Sequence, residues 1–203
     1  MSIRLFRAIM ALLLFAVLTA APGSAFAVRI VHVRPAGSGS GASWGDAYGD
    51  LQAALSAAQA GDEIWVAEGT WLPGSPGDAA AAFSLKNGVA LYGGFAGTES
   101  LREERDASAH LTILSGDLGA DDLYDPWPSG WSVATTNAKH VVTAQGVDGS
   151  AVLDGFTILA GYVSSETGGG GIMIQGASPL IEGCRFVHNL AGFAHGGAIL
   201  VAN

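Results

Sequence analysis

The last third of the chain repeats itself, and this repetition limits the fold more than any other feature. The segment AVLDGFTI at 151–158 aligns with PLIEGCRF at 179–186, an offset of 28, and GGGIMI at 169–174 aligns with GGAILV at 196–201, an offset of 27. Gln145-Gly146 matches Gln175-Gly176 at an offset of 30. An acid followed by glycine falls at the same place in both copies, as Asp154-Gly155 and Glu182-Gly183. A period in this range marks stacked supersecondary units that bury an apolar face only against one another. The units themselves are short β-type runs bounded by Gly, Asp or Asn: Glu63–Ala67, Val89–Tyr92, Leu111–Leu114, His140–Thr143 and Val152–Ile158. After Gly61 no helical period separates these runs, except around Ser100–Ala109, so the crossover helices of an α/β sheet are missing. The predicted class is all-β, a parallel β-helix with each coil one strand spacing, about 4.8 Å, above the last. Expected inward positions are Ile64, Val66, Leu91, Ile113, Val142, Leu153, Ile172, Ile181 and Ile199.

One segment reads as a helix. Ser43-Trp-Gly-Asp46 fits a capping box with Asp46 in the role usually taken by Glu. Trp44, Tyr48, Leu51, Leu55 and Ala58 then form a helical stripe, and Gly61 supplies the stop. A stack of coils has an end where its core and strand edges would meet water, and repeat proteins cover such ends with caps. The helix within 44–60 is expected to be that N-terminal cap, with Glu63–Ala67 opening the first coil. At the other end GGAILVAN begins a strand with no cap after it, so the β-helix is read as C-terminally incomplete, the start of a longer protein.

The first 27 residues read as a secretory signal peptide. Arg4 and Arg7 precede the apolar run Ala8–Ala20, and Ala25-Phe26-Ala27 offers a small-residue cleavage site. The run is too short to span a bilayer comfortably, which takes about 20 residues. Residues 28–203 are then one domain, the cap and first coils, with no membrane span. Without Arg4 and Arg7 the domain has 7 basic against 18 acidic residues, a net charge near −11. Nucleic-acid binding rests on Lys and Arg neutralising phosphate, so that class of partner is excluded. The single cysteine, Cys184, removes disulfides as a source of stability and reads as a small filler of a strand.

Two stretches resemble known families. Phe186-x-x-Asn189 followed by Gly196-Gly197-Ala198-Ile199 resembles the repeat pair of chlamydial-type polymorphic outer membrane proteins. The opening GSGSGASWGDAYGDLQAALSAAQAGDEIWVAEGTW resembles the first coil of bacterial secreted right-handed β-helix proteins of the pectate-lyase-like superfamily. Together they cover about a third of the mature chain. The upstream copy has Phe156-Thr-Ile-Leu159 where Phe-x-x-Asn would stand, so one full motif pair is present. The resemblance implies a right-handed helix, secretion or display at the outer membrane or cell surface, and an adhesin-like role toward a host or cell-surface glycan or protein. Turn chemistry alone also accounts for the motif: Asn189 bonds backbone at a turn, and Gly196 and Gly197 permit the corner before the next strand.

The rival function is polysaccharide cleavage, by a lyase or glycoside hydrolase. A hydrolase needs two carboxylates about 5–10 Å apart. Asp148, Asp154, Glu166 and Glu182 are the available acids, and the repeat stacks Asp154 next to Glu182. Both precede glycine, the ordinary signature of a turn, and Lys139-His140 supplies no partnered base, so no catalytic residue is assigned. His188 and His195, seven apart, are too sparse for a zinc site. The loop SGDLGADDLYDPWPSGW is the most unusual stretch. Asp117, Asp121, Asp122 and Asp125 make an oxygen-rich cluster suited to Ca²⁺, although not in EF-hand spacing. Trp127 and Trp131 beside them would give a contact loop for carbohydrate or protein; the plainer alternative is a solvated insertion.

Overall fold

The computed structural model describes residues 28–125, 130–132, 135–164, 168–192 and 196–202, with the backbone alone for 123–125 and 130–132. The signal peptide expected at 1–27 lies outside them. Parallel strands dominate. The first sheet has the order β1 (Arg29–Val33), β2 (Asp62–Ala67), β5 (Ala90–Phe95), β10 (Val152–Asp154) and β14 (Leu180–Glu182). The second runs β3 (Gly69–Trp71), β6 (Thr112–Ser115), β11 (Phe156–Leu159) and β15 (Arg185–Val187). The third runs β4 (Phe83–Ser84), β9 (Val142–Gln145), β13 (Ile172–Gln175) and β17 (Ile199–Ala202). A short parallel pair, β12 (Tyr162–Val163) and β16 (Leu190–Ala191), lies between the second and third sheets in chain order. The only antiparallel pair among the described residues is β7 (Leu123–Asp125) with β8 (Gly130–Ser132).

From β2 onward the chain visits the first, second and third sheets in that order, again and again. Val31, Ile64 and Leu153 of the first sheet, Leu114 and Ile158 of the second, and Ile172 of the third belong to one buried cluster. The segments aligned in the sequence are hydrogen-bonded neighbours at the same offsets: Val152 beside Leu180, Thr157 beside Arg185, Ile172 beside Ile199, Gln145 beside Gln175. Their corners stack too. Gly155 and Gly183 are both left-handed, with φ of 82° and 58°, and so are Ala160 and His188, at 63° and 53°. Glycine takes this conformation without steric cost. At Ala160 and His188 the surrounding pairing imposes it.

Of the expected inward positions, Ile64, Val66, Leu91, Val142, Leu153 and Ile172 are buried. Three differ. In β6 the face is shifted by one residue: Thr112 and Leu114 are buried and Ile113 is half-buried. Thr112 tolerates the interior because its hydroxyl accepts from the Gly94 amide at 2.9 Å and donates to the Val66 carbonyl at 3.3 Å. Ile181 is half-buried against the core, and Ile199 is 38% exposed, because β14 and β17 each have a strand on one side only.

The helix also differs from expectation. Ser43 caps only a 3₁₀ turn, Trp44–Asp46, and the Asp46 carboxylate accepts from the Ser40 hydroxyl rather than closing a capping box. Ala47 is extended, and Tyr48 forms a bridge to Val33. The α-helix proper, α1, is Leu51–Ala57. Asp50 is its N-cap, accepting from the Gln52 amide at 2.9 Å, and Ala58, extended, ends it in place of Gly61. Lys86 closes the far end, donating to the Leu55 and Ala58 carbonyls at 3.1 and 2.6 Å. Seven residues make a marginal helix in isolation; burial of Leu51, Ala54 and Leu55 in the shared core holds it. The expected opening strand Glu63–Ala67 has a predecessor, since β1 pairs with β2 from Arg29 beside Asp62 to Val33 beside Val66. The ambiguous stretch 100–109 contains only a 3₁₀ turn, Arg102–Glu104.

Candidate functional site

The acidic stretch is an insertion between β6 and β9. Its two ends, Gly116 and Ala138, are joined by a 2.8 Å bond from the Ala138 amide to the Gly116 carbonyl, and both ends bond the strand region above, through Leu159 and Tyr162. Inside this mouth the Asp121 amide donates to Asp117 Oδ1 at 3.1 Å. The Thr136 hydroxyl donates to the Asp121 carboxylate at 3.1 Å to its nearer oxygen, and Asn137 Nδ2 donates to Asp122 Oδ2 at 2.9 Å. One carboxylate oxygen from each of Asp117, Asp121 and Asp122 lies within 4.8 Å of the others. Three of the four acids singled out in the sequence therefore converge. Asp125 is in β7, where only the backbone is described, as is Trp131 in β8; Trp127 lies outside the described residues.

Asp154 and Glu182 are direct register partners on β10 and β14. They are not a matched pair chemically. Asp154 is buried and ion-paired with Arg105 Nη2, whereas Glu182 is exposed. Arg105 also donates to the Gly93 carbonyl at 3.2 Å, and its guanidinium lies 5.3 Å from the Tyr92 ring centre. Arg102 lies over the same ring at 4.7 Å and bonds Tyr92 Oη at 3.0 Å and Glu63 Oε1 at 2.8 Å. Burial raises the Tyr92 phenol above its ordinary value, against the pull of Arg102. Tyr92, Arg102, Arg105, Asp154 and Glu182 line an open groove along the first sheet. Of its two carboxylates, Asp154 is already committed to a guanidinium, which suits binding or bracing rather than proton transfer at that residue. Sequence reasoning missed Arg102 and Arg105; the only signal was the charge run at 102–106.

The motif residues have structural partners. Asn189 accepts from the Gly161 amide and donates to the Ile158 carbonyl, both at 2.9 Å, so its side chain ties one turn of the chain to the turn beneath. Phe186 packs against the core, while Gly196, with φ of 73°, and Gly197 and Ala198 lead into β17 at Ile199. Cys184 is half-buried with its thiol 3.6 Å from the Leu153 carbonyl, and burial pushes its pKa up to about 11. It is a protonated filler at neutral pH rather than a nucleophile. His140 Nδ1 contacts the Gly169 carbonyl at 2.9 Å, just before β9. Glu166 and His195 lie outside the described residues.

No helix among the described residues is long and apolar enough to cross a membrane. A scan against protein-family models gave no match, and searches of the curated proteins and of the solved structures gave none either.

Proposed function

We propose that this chain is a right-handed parallel β-helix whose first coil is capped by α1, and that it is a secreted or surface-displayed, non-enzymatic scaffold. On this reading the insertion at 117–136 is presented to a glycan or protein partner. The observation that carries it is the contrast in chain order: from β2 onward strands fall on three parallel sheets in repeated order, and between β6 and β9 the antiparallel pair β7–β8 and three clustered carboxylates intervene. Function on such scaffolds resides in loops. The leader-like first 27 residues and the acidic balance support an extracellular setting.

The test replaces residues 118–135 with a short turn and compares the variant with the parent chain on a glycan and cell-surface panel. Binding by the parent, lost in a variant with unchanged circular dichroism, is the expected result. The same proteins are assayed on acidic and neutral polysaccharides for reducing ends and for unsaturated-product absorbance. Turnover that disappears with Asp154→Asn or Glu182→Gln would replace the scaffold reading with the polysaccharide-cleaving one.

A further inference from the structure

The mouth of the insertion holds a second feature beside its three carboxylates. Asn137 is only 1% exposed. Its Nδ2 donates in two directions, to Asp122 Oδ2 at 2.9 Å and to the Ala160 carbonyl at 2.8 Å. Both are oxygens, so rotating the amide by half a turn would set oxygen against oxygen twice, and the orientation is fixed. The other amide atom, Oδ1, is buried and meets no donor among the described residues. An unmet buried acceptor carries a desolvation penalty. It lies on the same planar amide that touches Asp122, at the cluster.

We infer that Asp117, Asp121, Asp122 and the Asn137 amide oxygen form a divalent-cation site for Ca²⁺ at the base of the insertion. The dimensions fit. Calcium holds oxygen ligands at about 2.3–2.6 Å, so ligands in one coordination sphere stand at most about 5 Å apart, and the three carboxylates already meet that limit at 4.8 Å. Carboxylate and amide carbonyl oxygens are the donors this ion takes. Neither Asp117 nor Asp121 forms a Lys or Arg ion pair among the described residues. An ion here would link the outgoing arm of the insertion, Asp117–Asp122, to the returning arm at Asn137. It would thus fasten the loop to the stack beneath it, whatever that loop binds.

The experiment is isothermal titration of the chain with CaCl₂ in chelator-treated buffer, with thermal unfolding at matched ionic strength. One site with a dissociation constant on the order of 10⁻⁴–10⁻³ M is expected, the range of extracellular calcium modules. At ten times that concentration the folding constant rises about elevenfold, which in a chain of this size raises Tm by about 3–6 °C. Asp121 is exposed, so Asp121→Asn should keep the calcium-free Tm and lose the calcium-dependent rise; Asp117→Asn should behave likewise. No heat and no shift in the parent at millimolar calcium overturns the site. So does a shift that survives in the Asp117→Asn, Asp121→Asn double variant, or one that matching NaCl reproduces. The readout needs no loop partner, so it can fail or succeed independently of the scaffold reading.

Discussion

The two ends of the stacked sheets meet the same problem differently. At the β1 end the outer strand edge is covered by backbone: His32 N–H donates to the Gly41 carbonyl and its carbonyl accepts from Tyr48 N–H, each at 2.9 Å. Leu51, Ala54 and Leu55 of α1 are buried in the same core. At the other end, among the described residues, β14, β15, β16 and β17 each pair on one side only, and Leu180, Leu190, Ile199 and Val201 are 38–63% exposed. An uncovered strand edge is a template for further pairing. The comparison separates a register passed from strand to strand by parallel pairing from the second set of backbone partners that β1 has on its outer edge.

The largest effect that would break this comparison is in α1. Leu51→Ala, in a fully buried position of α1, should cost about 2–5 kcal/mol in urea unfolding. A cost under about 0.5 kcal/mol would mean that α1 merely rests on the stack. Next is the ion pair that pins β1 to β2. Arg29 donates to both Asp62 oxygens, one through Nε at 2.9 Å, and the Gln59 amide adds a third bond at 2.6 Å. Asp62→Asn should therefore cost about 1–3 kcal/mol at pH 7. The Arg29 hydrogen bond, opposed by burial, holds the Asp62 carboxyl below its ordinary value. Its folded pKa is depressed, so its contribution is complete above the unfolded value of about 3.9 and is lost as pH falls through the lower folded one. Acid titrations of stability should show that loss in the parent and a shallower acid limb in Asp62→Asn. The smallest effect belongs to the open end: Val201→Ala should change stability by no more than about 0.5 kcal/mol. A larger cost would show that something covers β17 in solution.

The sequence made the upper rungs legible because it states them twice. The Asp154-Gly155 and Glu182-Gly183 pairs gave the register of β10 on β14 directly, and Gln145 and Gln175 gave that of β9 on β13. The lower rungs have no second copy in the chain. β1 went unread because Arg29–Val33 directly follows the stretch that reads as a signal peptide, and its partner, β2, lies beyond the helix. The face of β6 was misjudged by one residue because the groups that satisfy Thr112 come from Gly94 and Val66, far away in sequence. At the candidate site the acid run was plain, since composition alone marks it. The amide oxygen of Asn137 was not, because only the folded mouth brings residue 137 back to Asp122. The pairing of Asp154 with Arg105, 49 residues upstream, was hidden for the same reason; the sequence showed Asp154 only as an acid before a turn glycine.

The left-handed corners carry one more consequence. Gly155 beside Gly183 and Ala160 beside His188 turn the chain through left-handed backbone at matching points. After the long excursion at 117–136 the chain rejoins as if nothing had intervened: the Ala138 amide closes on Gly116, and Val142 enters register with Ile172. Length and geometry are thus separate variables in this molecule. Changes of length within that insertion should leave the register of β9 on β13 unchanged, a local edit rather than a refolding event.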